Sequence, residues 1–158
     1  MKIRKFDLYK ENGKTLLVCE SSSYYPLIDK FTNPESIYTF LTRELQVNRF
    51  AEEHVYMFAL RQDGKLSGFF EISKGSSTAS MIPIDGIFKR LVLTDATQFI
   101  IAHNHPSGNH YPSKSDEEAT KRIIKASELM QIPFVDHIIT GNGFYSFREQ
   151  NPDLFYFK

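Results

Sequence analysis

The sequence predicts an α/β fold in which helices cover both faces of a mixed central sheet, a three-layer α/β/α arrangement. Short apolar segments typical of strands alternate along the chain with segments of helical periodicity, an order that favours helices on each face of a sheet. Glycine turns join neighbouring strands directly at three places, so several strand pairs are antiparallel and the sheet is mixed. The three turns are Asn12-Gly13, Asp63-Gly64 and Gly141-Asn142-Gly143.

The first half of the chain predicts a hairpin, a helix and a second hairpin. Residues 1–20 alternate polar and apolar side chains around their Asn-Gly turn, which indicates two paired strands. Asn33 can cap the helix that follows, and Pro34 suits its first position. The apolar segments 55–60 and 66–72 flank the Asp-Gly turn and are apolar enough to be central strands.

The second half predicts two further helices and three strands. Pro83 opens a helix, 98–102 is a short buried strand, and a helix over about 115–130 follows a loop. Strands 134–140 and 144–148 form the last hairpin. The inner face of the third helix is expected to carry Ala119, Ile123, Ala126 and Met130.

The composition is that of one globular domain. The chain has 158 residues, 41% hydrophobic and 14% aromatic, which excludes a disordered protein. Lys and Arg number 19, as do Asp and Glu, and this balance gives no strong nucleic-acid signature. The single cysteine, Cys19, and the lack of signal-peptide or membrane-span patterns predict a cytoplasmic protein. We expect residues 1–32 to form an N-terminal hairpin extension and residues 33–158 the main domain.

The loop after strand 98–102 carries the most informative residues. His103 and His105 lie two residues apart as the strand ends, so their side chains point to the same side. Asp116 follows eleven residues later, at the start of the third helix, after a loop long enough to fold back. Two histidines, one carboxylate and one open position make a catalytic zinc site, in which the metal lowers the pKa of bound water to about 7.

A structural explanation of the same residues stays open. A His-x-His pair alone is a weak metal signal, and Ser113-x-x-Asp116 also matches a capping box for the third helix. Ser115-x-x-Glu118 offers the same cap two residues later. The helix therefore does not need Asp116 as part of its cap, and capping alone does not account for the pattern.

The spacing His-x-His-x₇-Ser-x-x-Asp from His103 to Asp116 resembles the signature of the JAMM (JAB/MPN+) metalloprotease domain. The string His-Asn-His-Pro-Ser-Gly at 103–108, with Pro112-Ser113, resembles the RadC-like bacterial branch of that superfamily. The similarity covers about residues 33–150 and includes the segments 72–75, 136–139 and 146–149. It implies a JAB/MPN-like fold, related to the cytidine deaminase-like fold.

The resemblance implies a role for each residue of the signature. His103, His105 and Asp116 would hold one Zn²⁺ per chain. Ser113 would stabilise the oxyanion of the tetrahedral intermediate. A glutamate from far upstream, placed just before a central strand, would act as general base on the zinc-bound water.

Glu53 is the choice for that base because it directly precedes the apolar run 54–60. Glu52 would point the other way along an extended chain, and Glu71 lies late in the paired strand; all three stay open. Further residues are candidates for supporting the ligands or lining a substrate groove: Lys74, Asn104, Ser107 and His137. For His137, a structural polar pair with Asp136 is the favoured alternative.

These expectations make the protein a zinc-dependent hydrolase of peptide or isopeptide bonds, acting on a peptide or protein substrate that the sequence does not identify. One alternative is a non-catalytic JAB/MPN interaction module. Another is an accessory role in DNA repair or mobile-element biology, as the RadC label suggests. Family members commonly carry an N-terminal helix-hairpin-helix module, whereas residues 1–32 predict a hairpin and are too short for one.

Overall fold

The computed structural model describes residues 1–26, 28, 30–75 and 82–155; residues 76–81 and 156–158 of the predicted main domain lie outside it. Within these ranges, seven strands form one mixed sheet in the order β2-β1-β4-β3-β5-β6-β7. The strands are β1 (Lys2–Glu11), β2 (Lys14–Tyr24), β3 (Glu53–Leu60), β4 (Leu66–Gly75), β5 (Gln98–Asn104), β6 (Phe134–Thr140) and β7 (Phe144–Ser146). The β1–β4 and β5–β6 pairs are parallel and the others antiparallel, which confirms the mixed sheet.

Helices cover both faces of the sheet. They are α1 (Pro34–Thr39), which continues into a π-helical turn (Phe40–Glu44), α2 (Ile84–Leu93), α3 (Lys114–Met130) and α4 (Phe147–Gln150), with short 3₁₀ turns at Val47–Arg49 and Pro152–Phe155. One apolar cluster joins α1 to the sheet, and a second joins α2, α3 and α4 to the opposite face. The three-layer α/β/α prediction is therefore confirmed. None of the helices in the described ranges is long and apolar enough to cross a bilayer.

The N-terminal hairpin forms around the predicted turn and joins the main sheet. Asn12 and Gly13 have φ angles of 49° and 78°, the left-handed pair that a tight hairpin turn needs. Lys5 of β1 pairs with Phe69 of β4, and the hairpin thereby extends the sheet. The division of the chain into an extension and a main domain stays a prediction.

The buried face of α3 agrees with the prediction at Ile123, which is buried, and at Ala119 and Ala126, which pack against the same core, but it also includes polar residues. Its buried residues are Asp116, Thr120, Ile123, Ile124 and Ser127. Met130, expected on the inner face, is 43% exposed, so this part of the prediction is wrong. The reason is that α3 turns polar side chains towards the sheet: the hydroxyl of Thr120 meets the ring of His137 on β6.

The last predicted strand is also shorter than expected. It ends at Ser146, whose hydroxyl oxygen accepts the Glu149 backbone N–H and begins α4. Asp136 of β6 accepts the Ser146 hydroxyl at 2.6 Å and the Arg148 backbone N–H at 2.9 Å. These bonds turn the chain out of the sheet two residues early.

Candidate metal centre

The end of β5 brings two imidazoles together. His103 pairs in register with Val55 of β3 and is buried, and His105 follows just beyond the strand. The backbone N–H of His105 donates to the Thr140 carbonyl of β6 at 2.8 Å, which keeps it aligned with the sheet. The Nε2 atoms of the two rings are 3.0 Å apart.

The third ligand candidate comes from the first turn of α3. Ser113 is the N-cap, its hydroxyl oxygen accepts the Asp116 backbone N–H, and Asp116 Oδ2 accepts the Ser113 backbone N–H at 2.8 Å. The alternative cap built on Ser115 and Glu118 is therefore not the one the helix uses. The capping box instead fixes the Asp116 carboxylate, which faces the two histidines.

The donor atoms fit a zinc ion. Asp116 Oδ1 lies 3.3 Å from His103 Nε2, and Asp116 Oδ2 lies 3.4 Å from His105 Nε2. Tetrahedral ligands at zinc bond lengths of 2.0–2.2 Å are about 3.3–3.6 Å from one another, so both Asp116 distances fit and the 3.0 Å between the two histidine nitrogens is slightly shorter. Two neutral imidazoles and one carboxylate are also the ligand types that catalytic zinc takes. Among the described residues, this is the group of three that could hold a metal.

Mutual hydrogen bonding sets the charges of these ligands. Burial alone raises the pKa of Asp116, but hydrogen bonds and the nearby charge of the histidines outweigh it and hold that pKa well below its usual range. Burial lowers the pKa of His105, yet bonds to Asp116 and to the Asn109 carbonyl raise it on balance. The carboxylate is thus ionised, as a metal ligand must be.

Glu53 lies beside this cluster. It is buried at the start of β3, where the β3–β5 register, continued two residues past Val55 and His103, sets it opposite His105. With His105, Ser113 and Asp116 it lines a cavity of about 300 Å³.

The other two glutamates lie away from that cavity. Glu52 is exposed and forms an ion pair with Lys74 at 3.1 Å. Glu71 lies on the α1 side of the sheet, against His54 at 2.6 Å and Lys5 at 2.9 Å. Bonds from these two partners outweigh burial and lower the pKa of Glu71. The geometry favours Glu53 as the base, and the role itself stays a prediction.

Three serines, Ser107, Ser113 and Ser115, line the same cavity. The Ser113 hydroxyl lies 2.5 Å from Asp116 Oδ2 and 2.8 Å from the Ser115 hydroxyl. To bind an oxyanion, it would have to redirect its proton from Asp116. Ser107 accepts the Asn109 backbone N–H at 3.3 Å and contributes to the rim.

Asn104 and Lys74 lie outside the ligand cluster. Asn104 is buried, accepts the His54 backbone N–H at 2.8 Å and donates to the Glu52 carbonyl at 3.0 Å. It therefore fixes the backbone on both sides of Glu53. Lys74 is exposed and forms an ion pair with Glu52, and neither residue lines the cavity.

His137 contacts a ligand directly. Its Nε2 lies 3.0 Å from His103 Nδ1, and its Nδ1 lies 2.7 Å from the Thr120 hydroxyl. Asp136, adjacent on β6, bonds to Ser146 instead. Sequence reasoning missed Thr120, although its place four residues after Asp116 on a helix, and so on the same face, was a usable signal.

This sheet and its His-His-Asp cluster define a domain of the JAB/MPN type. A family model for the RadC-like JAB domain matches residues 31–152, and the chain belongs to that family.

Relatives agree with that assignment. UPF0758 protein tlr1707 of Thermosynechococcus vestitus is 43% identical over 103 residues, which is 65% of this chain and 41% of the relative. UPF0758 protein TTE0897 of Caldanaerobacter subterraneus subsp. tengcongensis is 34% identical over 133 residues, 84% of this chain and 54% of the relative. The chain thus spans about half the length of the curated relatives it matches.

Proposed function

We propose that the protein is a zinc-dependent hydrolase of peptide or isopeptide bonds. The observation that carries the proposal is the spacing of the ligand atoms of His103, His105 and Asp116, which suits one tetrahedral zinc ion. A cavity on the open side of this cluster, with a carboxylate on its wall, provides room for a scissile bond. The substrate is a peptide or protein whose identity is open.

Each residue then has a chemical task. A bound zinc ion would polarise the scissile carbonyl and lower the pKa of the attacking water. Glu53 accepts a proton from that water and delivers it to the leaving amine, so that the amide C–N bond breaks and a carboxylic acid and an amine form. The Ser113 hydroxyl donates to the developing oxyanion, and losing one such donor typically costs about 10²–10³ in rate.

Two observations favour the hydrolase over its alternatives. A non-catalytic interaction module has no need of three ligands at metal spacing beside a buried glutamate. A role in DNA repair or mobile-element biology has no support from the balance of 19 basic and 19 acidic residues. We expect the protein to lie in the cytoplasm, because a chain with a single cysteine fits a reducing compartment.

The test is a screen of zinc-loaded protein against peptide and isopeptide-linked substrates, with Glu53→Gln and Glu52→Gln compared on any substrate found. Glu53→Gln should lose at least about 10²-fold in kcat while zinc stays bound, because the proton acceptor is gone. Glu52→Gln should match the wild type, because Glu52 is exposed and paired with Lys74. Equal loss in both variants, or none in either, would contradict the role of Glu53.

A further inference from the structure

We infer that His137 and Thr120 form a one-directional hydrogen-bond relay that fixes His103 in the tautomer needed for metal binding. The inference rests on the proposed metal site. Its basis is an unbroken buried chain of contacts: His103 Nδ1 to His137 Nε2 at 3.0 Å, His137 Nδ1 to Thr120 Oγ1 at 2.7 Å, and Thr120 Oγ1 to the Asp116 carbonyl at 2.6 Å.

The carbonyl end sets the direction of the relay. A carbonyl oxygen only accepts, so the single hydroxyl proton of Thr120 goes to Asp116, and Thr120 Oγ1 is left as an acceptor towards His137. If the hydroxyl proton went to His137 instead, two oxygens would face each other at 2.6 Å, buried and without a proton between them. His137 therefore carries its proton on Nδ1.

The same logic passes through the His137 ring to the ligand. His137 is fully buried, and its ring stacks on Phe147 with a centroid distance of 5.2 Å, surroundings that disfavour a charged imidazolium. A neutral ring protonated on Nδ1 has an acceptor at Nε2, so His103 must donate from its own Nδ1. With Nδ1 engaged as a donor, Nε2, the atom that faces Asp116 and His105, is the ring nitrogen of His103 that can take a metal.

The relay links ligands that come from different elements. It begins at His103 on β5, crosses to His137 on β6, and ends on the backbone of Asp116 in α3. Partners of this kind hold both the tautomer and the orientation of a ligand, and their loss typically weakens metal affinity roughly 10- to 100-fold. His137 and Thr120 are accordingly positioning residues for the site.

The first experiment compares zinc affinity in Thr120→Val and Thr120→Ser by competition with a chromophoric chelator. Valine keeps the shape and removes the hydroxyl, so we expect zinc binding roughly 10- to 100-fold weaker than in the wild type. Serine keeps the hydroxyl and should restore affinity to within about threefold. Equal affinity in valine, serine and wild-type proteins would overturn the relay.

The second experiment needs neither zinc nor activity. Long-range ¹H–¹⁵N NMR of the metal-free wild-type chain reports which ring nitrogen of His103 and of His137 carries the proton. We expect Nδ1–H on both rings, with loss of that preference at His103 in Thr120→Val. A His103 ring with no proton on Nδ1 in the wild type would overturn the relay even if zinc binds. Nδ1–H tautomers in a chain that takes up no zinc would support the relay while the proposed function fails.

Discussion

At the scale of single residues, the helix cap and the candidate metal site share one side chain. Asp116 completes the capping box with Ser113 and presents its carboxylate to His103 and His105. A cap holds the first turn of a helix in place, so a ligand in that turn is held with it. The two explanations that the sequence left open, cap and ligand, are therefore compatible in one residue.

Replacing Ser113 by alanine tests this double use. The change removes the acceptor for the Asp116 N–H and a donor to the Asp116 carboxylate, so we expect the metal-free chain to lose about 1 kcal/mol of stability. Ser115 is exposed and lies two residues further along the chain, so Ser115→Ala should change stability by less than about 0.5 kcal/mol. Urea unfolding of both variants makes the measurement. If the two losses are equal, Ser113 is not the cap that positions Asp116.

At the scale of elements, the site depends on how β3 is tied to β5. Asn104, on the opposite face of β5 from His103, bonds the backbone immediately before and after Glu53. With backbone pairing alone, the His54 N–H and the Glu52 carbonyl would lie at the frayed end of β3. The amide side chain instead extends the pairing to the point where the glutamate enters the cavity.

We predict that Asn104→Ala loosens the start of β3 without removing the ligands. The His54 N–H loses its acceptor, so its hydrogen exchange should quicken by roughly tenfold or more. Zinc binding should be retained, because His103, His105 and Asp116 keep their bonds. Asn48→Ala, an exposed asparagine nearby, should leave the exchange rate unchanged. An unchanged hydrogen-exchange rate at His54 in Asn104→Ala would show that the backbone hydrogen bonds of β3 are enough to fix Glu53.

At the scale of the whole molecule, a buried acid makes stability depend on pH. Burial raises the pKa of Asp136 to about 6, above its ordinary value of 3.8, although bonds from Ser146 and Arg148 oppose the rise. A group whose pKa is higher in the folded chain stabilises it most at low pH. That contribution is complete below about pH 4 and is lost as the pH rises through about 6, by roughly 3 kcal/mol.

Asp136→Asn should remove this dependence. The asparagine carbonyl can still accept the Arg148 N–H, and the amide does not ionise. The free energy of unfolding of the variant, relative to that of the wild type, should therefore rise by up to about 3 kcal/mol as the pH increases from about 4 to 7. Urea unfolding at intervals over that range gives the difference. For the control Asp153→Asn, at an exposed position, the difference in unfolding free energy from the wild type should not change with pH. A flat difference for Asp136→Asn as well would contradict the shifted pKa.

Local patterns predicted much of this molecule. Periodicity and glycine turns located the strands, because each hairpin is decided by residues close in sequence, and the spacing from His103 to Asp116 marked the cluster of candidate ligands. Thr120 was missed because its role depends on α3 lying against β6, a long-range contact that periodicity does not contain. Met130 was misplaced for the same reason: the inner face of α3 is chosen by polar partners on the sheet, not by hydrophobic spacing alone.

The measurement that tests the account most directly is the metal content of the purified, untagged chain after exposure to zinc, by elemental mass spectrometry. The account predicts close to one zinc per chain in the wild type. It predicts the same in Glu117→Ala, an exposed neighbour on α3, and a large loss in Asp116→Ala, which lacks one of three ligands. A wild-type chain that takes up no zinc, or an Asp116→Ala chain that keeps it, would contradict the central claim.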